Sequence, residues 1–134
     1  MRTDNSSLRR ASTLLLAHGV ITAAAGVCLI VAPATIPRVV DIPIPGNAFL
    51  LSYLIAAAEF GYSWLSLWGA RSADASVVRG VFLACLIFHA ASGVLEIVAL
   101  LRGVSPRLGL NVAARILIII LFVHFLPKRQ GVSN

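Results

Sequence analysis

VVRGVFLACLIFHAASGVLEIVALL, residues Val77–Leu101, is a stretch long and apolar enough to cross a lipid bilayer as a helix. Such a helix needs about 20 predominantly apolar residues. This one also carries His89 near its middle and Glu96 seven residues further along. That spacing places both side chains on one helical face. Lipid solvates ionisable groups poorly, so we expect this face to point towards other helices or a cavity.

The composition extends the membrane assignment to the whole chain. The 134 residues are 59% hydrophobic and only 12% charged, whereas soluble domains have about 25% charged residues. The chain contains three further apolar stretches. A proline-rich connector at residues 34–45, which cannot form a regular span, joins the first of them to the second. We therefore predict a single all-α domain over residues 1–134, an integral membrane up-down four-helix bundle. Its predicted spans are residues 12–32, 47–70, 77–101 and 108–126.

The basic residues indicate an orientation in the membrane. Their clusters lie at the ends of the apolar stretches, so the net charge of +6 does not indicate nucleic-acid binding. The positive-inside rule assigns the more basic side to the cytoplasm. We expect a multi-pass protein of the bacterial inner membrane with both termini cytoplasmic. Seven flanking residues fall on the cytoplasmic side and three on the other: Arg2, Arg9, Arg10, Arg71, Arg79, Lys128 and Arg129, against Arg38, Arg102 and Arg107.

Polar side chains inside the predicted spans fall at two depths, given a rise of about 1.5 Å per residue. Glu59 and His89 lie near the middle of the membrane, and Glu96, Asn111 and Arg115 lie in its outer half. Each level thus holds a carboxyl group with a partner. We expect a hydrogen bond between Glu59 and His89, and an ion pair between Glu96 and Arg115.

These residues are also candidates for chemistry. An interior carboxylic acid and an imidazole are typical of general acid–base catalysis, and an arginine is suited to hold a carbonyl or oxyanion. The alternative is that the same groups only join the helices. The catalytic candidates are Glu59, His89, Glu96 and Arg115, and the candidates for substrate binding are His18, Tyr62, Ser92 and Asn111.

No metal site or cofactor is predicted. The three histidines lie in three different spans without a flanking motif for haem, and no His-x-x-x-His or Glu-x-x-His pair occurs. Cys28 and Cys85 belong to spans that place them at different depths, so we expect both to be free.

Three segments carry a resemblance to a known family: HGVITAAAGVCLIVAPATIPRVV, LLSYLIAAAEFGYSWLSLWGAR and RILIIILFVHFLPKR. The glycine-containing first helix with its Ala-Pro end, and the proline-containing outer connector, resemble the DoxX-like small bacterial membrane proteins. The resemblance implies the four-helix fold. The name-giving members of that family are linked to quinone-coupled oxidation, but this chain lacks a paired-thiol arrangement for redox work.

Several functions fit these observations. The first is an enzyme that uses intramembrane acid–base residues on a lipophilic small molecule, as an isomerase, a cyclase or an epoxide-opening enzyme. The second is a non-catalytic binding or accessory subunit, and the third is a haem- or quinone-linked electron-transfer component. Four helices enclose little space, so a transporter would need a homodimer. The sequence leaves the oligomeric state open.

Overall fold

A computed structural model describes residues 5–127, which contain helices and no strand. The prediction of an all-α chain is therefore confirmed. Arg2, Lys128 and Arg129, which contributed to the predicted orientation, lie outside the described residues. The helices are α1 (Asn5–Val31), α2 (Thr35–Val39), α3 (Phe49–Arg71), α4 (Ala75–Leu101) and α5 (Leu108–His124), with a 3₁₀ turn at Gly46–Ala48.

The four long helices, α1, α3, α4 and α5, form a bundle. Long helices that are consecutive in the chain contact each other and run antiparallel. α1 packs chiefly against α3, and α4 packs chiefly against α5, while α4 also contacts α1 and α3. At one end of α4, the guanidinium of Arg79 donates to the carbonyl of Pro127 at 2.6 Å. Near the start of α3, at the opposite end of the bundle, the hydroxyl of Ser52 donates to the carbonyl of Pro33 at 2.9 Å. These bonds tie the chain after α5 and the connector after α1 to the bundle.

Within residues 5–127, three helices are long and apolar enough to cross a membrane, and α5 is shorter, with 17 residues. Numerous large apolar side chains cover the outside of the bundle, among them Ile21, Leu54, Ile87 and Leu117. Exposed apolar side chains on all sides are typical of helices solvated by lipid. The proline-rich connector forms no regular span, as predicted, and contains only the five-residue α2.

Small residues set the distance between α1 and its neighbours. A Cβ atom on Gly19 would lie 2.8 Å from Cγ of Leu67, and one on Gly26 would lie 3.1 Å from the ring of Phe60. The hydroxyl of Ser63 donates to the carbonyl of Gly19 at 2.8 Å. Small residues let membrane helices approach closely enough for such contacts. The close approach of α1 to α3 thus depends on Gly19 and Gly26.

The ends of α4 are defined by local hydrogen bonds. Asp74 caps the start, where its carboxylate accepts from the backbone N–H of Ser76 at 2.7 Å. At the other end Gly103 adopts a φ of 75°. Its N–H donates to the carbonyl of Leu100, and the N–H of Val104 donates to Ala99. This pair of bonds is the Schellman motif, which favours glycine at the left-handed position.

The apolar core lies towards the end of the bundle where α1 begins and α5 finishes. It includes the fully buried side chains of Leu15, Val78, Phe82 and Phe122. The rings of Phe82 and Phe122 pack with centroids 4.8 Å apart. The buried polar residues begin directly beyond this core.

Candidate functional site

Two histidines from different helices meet in the centre of the bundle. Nε2 of His18, on α1, lies 2.9 Å from Nε2 of His89, on α4, and both side chains are buried. The two rings stand edge to face, with an interplanar angle of 85°. Phe122 and Phe88 pack against the rings of His18 and His89 respectively. We call His18 and His89 the histidine pair.

Hydrogen bonds continue from both sides of the histidine pair. Nδ1 of His18 lies 2.8 Å from the hydroxyl of Ser66 on α3, and that hydroxyl lies 3.7 Å from Sγ of Cys85. On the other side, Nδ1 of His89 lies 3.3 Å from a guanidinium nitrogen of Arg115 on α5. All four long helices are therefore joined through these contacts.

The chemistry of the donors gives this chain of contacts a direction. Arginine only donates hydrogen bonds, so Nδ1 of His89 accepts. In a neutral ring the proton then resides on Nε2 of His89, which donates to Nε2 of His18. His18 in turn donates from Nδ1 to Ser66, whose own proton is left free to point to Cys85. One arrangement of protons therefore satisfies every contact from Arg115 to Cys85.

A second group of polar side chains continues from Arg115 towards the connector end of the bundle. Oε1 of Glu96 accepts a hydrogen bond from Nε of Arg115 at 2.8 Å, and it forms an ion pair with a terminal nitrogen of the same guanidinium, also at 2.8 Å. The same oxygen accepts from the amide of Asn111 at 2.8 Å. We call Glu96, Asn111 and Arg115 the Glu96 cluster. The predicted ion pair between Glu96 and Arg115 is confirmed.

The two predicted levels are connected through Arg115, and the predicted partner of His89 was wrong. Both ring nitrogens of His89 are occupied, by His18 and by Arg115, so the predicted hydrogen bond between Glu59 and His89 does not form. Arg115 reaches from the Glu96 cluster to the histidine pair because its side chain is long. The two expected levels are thus one continuous polar network: Cys85, Ser66, His18, His89, Arg115, Glu96 and Asn111.

Three predicted site residues lie outside this network. Glu59 is partly buried on α3 and interacts electrostatically with Arg115, but no hydrogen bond among residues 5–127 includes its carboxyl group. The ring of Tyr62 packs on that of Phe88, with centroids 4.1 Å apart. Ser92 is partly buried, and no hydrogen bond in the described part of the chain includes its hydroxyl.

Sequence reasoning did not select Ser66 and Cys85 as site residues. A signal for Ser66 was available, because the buried small residues of α3 recur on one face, at Ser52, Ala56, Ser63 and Ser66. Such a face marks a helix interface in membrane proteins. Cys85 precedes His89 by one helical turn. Both cysteines are free, as predicted.

The network holds no metal-ligand set, since no three His, Cys, Asp or Glu side chains of residues 5–127 come together as one. A surface cavity of about 470 Å³ lies elsewhere, near the start of α1, and is lined by Ser6, Arg9, Arg10 and Thr13. It is therefore separate from the polar network.

Comparison of the chain with protein-family models, with curated proteins and with solved structures gives no match. The resemblance to the DoxX-like proteins thus depends on the sequence features alone.

Proposed function

We propose that this chain is a four-helix integral membrane protein that performs acid–base chemistry on a lipophilic small molecule. The observation that carries the proposal is the continuous polar network from Cys85 to Glu96, to which all four long helices contribute. Polar groups inside membrane helices are costly and mark functional sites by default. A bundle that needed only to pack would not require two adjacent imidazoles.

The surroundings of the network support chemistry within the protein rather than conduction across the membrane. The network ends at Cys85, which is fully buried among Leu15, Val78, Phe82 and other apolar side chains. The apolar core therefore lies between this end of the network and the end of the bundle where α1 begins. A proton needed in the interior is best supplied and received by the side chains themselves, which is the arrangement general acid–base catalysis requires.

Within this proposal each residue has a role. Nδ1 of His89 receives the proton once the Arg115 nitrogen that donates to it turns to the substrate, and His18 orients His89 through the contact between their Nε2 atoms. Arg115 holds an oxygen of the substrate on which charge develops. Glu59 is the candidate acid, because Arg115 is already paired with Glu96 and no hydrogen bond within the described residues engages the Glu59 carboxyl group. Isomerisation, cyclisation and the isomerising opening of an epoxide suit this set, because each needs the protein only to deliver one proton to the substrate and to remove another, while the remaining bonds form and break within the substrate.

The membrane arrangement belongs to the same proposal. α5 has 17 residues, and helices of about 17 to 25 residues cross bilayers. We therefore propose that all four long helices span the inner membrane of a bacterium, with both termini in the cytoplasm. The bilayer would then supply the lipophilic substrate directly to the bundle.

A second candidate is a non-catalytic accessory subunit whose polar residues only pack the bundle. The contact that favours it is the ion pair between Glu96 and Arg115, which links α4 to α5. Removing one member of a buried pair costs roughly 3–5 kcal/mol because the other is left uncompensated, whereas removing both costs much less.

The two candidates are separated by the double variant Glu96→Gln with Arg115→Met. Both predict that its thermal stability exceeds that of either single variant. The catalytic proposal predicts that the reconstituted wild-type protein converts a component of a total membrane lipid extract, detected by mass spectrometry, and that the double variant does not. Recovery of conversion together with stability would favour the packing role instead.

His89 allows the same assay to be made more specific. Replacing His89 by Asn removes the imidazole that receives the proton, so conversion should fall by roughly 10²-fold or more. His124→Asn is the matched control, because His124 is exposed near the end of α5 and lies outside the network. Equal conversion by the wild type and by His89→Asn would contradict the proposal.

A further inference from the structure

The two carboxylate oxygens of Glu96 differ in their hydrogen bonding. Oε1 accepts hydrogen bonds from Asn111 and from Nε of Arg115, and it forms an ion pair with a terminal nitrogen of Arg115. Oε2 is buried and has no hydrogen-bond partner among residues 5–127. Buried polar atoms are nearly always paired, and a buried acceptor of a charged group is expensive to leave unpaired. Because the Glu96 side chain is 16% exposed, a donor from another molecule can reach Oε2 once the carboxylate turns towards the surface, and a hydrogen bond there gains more than one to an atom that is already paired.

Arg115 has hydrogen-bonding capacity left beside this oxygen. A guanidinium carries five N–H groups, and contacts within the described residues use three of them, two to Glu96 and one to His89. The Glu96 cluster thus offers an unused acceptor and unused donors together. A group that both donates and accepts fits this combination, and a hydroxyl is the smallest such group.

The position of the cluster indicates what carries that hydroxyl. The side chains of Arg115 and Glu96 are 19% and 16% exposed, so the cluster lies at the edge of the bundle. The residues next to them in the chain include the exposed apolar side chains Leu95, Ile97 and Ile116. The guanidinium of Arg115 also lies over the ring of Phe88, 5.8 Å from its centroid. A ligand arriving here passes apolar and aromatic surface before it meets the polar groups.

We infer that the Glu96 cluster binds a neutral, lipophilic alcohol or phenol, whose hydroxyl donates to Oε2 of Glu96 and accepts from Arg115. This inference rests on the proposed function and names the substrate class of that site. A carboxylate ligand is disfavoured, because it would repel Glu96 and would offer no donor to Oε2. A ketone or an ether would leave Oε2 unpaired.

The test compares two photoreactive probes in the full-length protein reconstituted in phosphatidylcholine nanodiscs. One probe is a long-chain alcohol with a diazirine, and the other is its methyl ether, which accepts hydrogen bonds but cannot donate. At equal mole fraction we expect the alcohol to label the segments around Gly93 and Arg115 at least about tenfold more than the ether does, the scale of a hydrogen bond to a charged group. Equal labelling of the wild-type protein by the two probes would by itself overturn the inference.

Variants locate the effect. In Glu96→Gln the amide oxygen takes the contacts with Arg115, so an N–H group replaces the free acceptor, and the preference for the alcohol should fall towards one. Asp41→Asn makes the same chemical change at an exposed site in the connector and should keep the preference. An unchanged preference in Glu96→Gln would also overturn the inference. A preference that behaves as expected while no lipid component is converted would contradict the proposed function alone.

Discussion

His89 occupies a position where each of its ring nitrogens has a different partner. Arg115 donates to one nitrogen, and the other faces His18. A neutral imidazole has one donor and one acceptor, so these two contacts use its full capacity. Networks of this kind are strong when every member is paired and costly when one is not. This is why the ring is held in one orientation and one tautomer.

Asp74 provides the pH-dependent prediction, because it lies outside the long apolar segments. The Ser76 hydroxyl donates to its carboxylate at 2.8 Å. That bond, followed by the backbone N–H of Ser76, holds the pKa of Asp74 below its ordinary value of 3.8. A carboxyl group with a lower pKa in the folded state stabilises the fold above its unfolded pKa, and the contribution is lost as the pH falls through the folded value.

The measurement is a titration of the Asp74 carboxyl carbon by NMR. We expect a midpoint below 3.8 in the wild type and a higher one in Ser76→Ala, which lacks the hydroxyl donor. Ser72→Ala is the control, because the Ser72 hydroxyl contacts the backbone N–H of Asp74 and not its carboxylate. A midpoint that does not move in Ser76→Ala would show that the cap does not set this pKa.

Helix α1 depends on glycine for its position in the bundle. At Gly19 the backbone of α1 approaches Leu67 and Ser63 of α3. The same close approach brings the ring of His18 to the hydroxyl of Ser66. A larger residue at position 19 would separate α1 from α3 and would also lengthen the contacts of His18. The packing of one helix pair and the geometry of the site are therefore linked.

Gly19→Ala tests this link. The added Cβ would lie 2.8 Å from Cγ of Leu67, so we expect a loss of stability of roughly 1–3 kcal/mol, the usual cost of overpacking. Gly61→Ala is the matched control on α3, because a Cβ there meets nothing within 4 Å. Thermal unfolding in detergent measures both. Equal midpoints for the two variants would show that α1 does not need this close approach.

The long helices could be predicted from the sequence because hydropathy and proline spacing depend on local residues only. Depth along the helices also predicted that Glu96 meets Arg115, since both lie at the same level in antiparallel neighbours. The partner of His89 could not be predicted in this way. Glu59 and His18 both lie near its level, and the choice depends on how the helices are rotated and how closely α1 approaches. Periodicity within one helix does not fix that rotation.

The arrangement of the whole molecule places the connector and the turn after α4 at one end of the bundle, with the start of α1 and the turn after α3 at the other. If α5 also spans the membrane, reporter domains fused after Arg38, Arg71 and Arg107 should report outside, inside and outside, and one at the chain end should report inside. A reporter at the chain end on the same side as the one after Arg107 would mean that α5 does not cross.

The central claim is that one hydrogen-bonded network joins all four long helices, and the contact between His18 and His89 is its middle link. Solution NMR of the protein with ¹⁵N-labelled histidine tests that link directly, through the coupling that a hydrogen bond transmits between two nitrogen nuclei. We predict a coupling between the two Nε2 atoms, with the proton on Nε2 of His89 and on Nδ1 of His18. A His89 ring protonated on Nδ1, with no coupling to His18, would contradict the account.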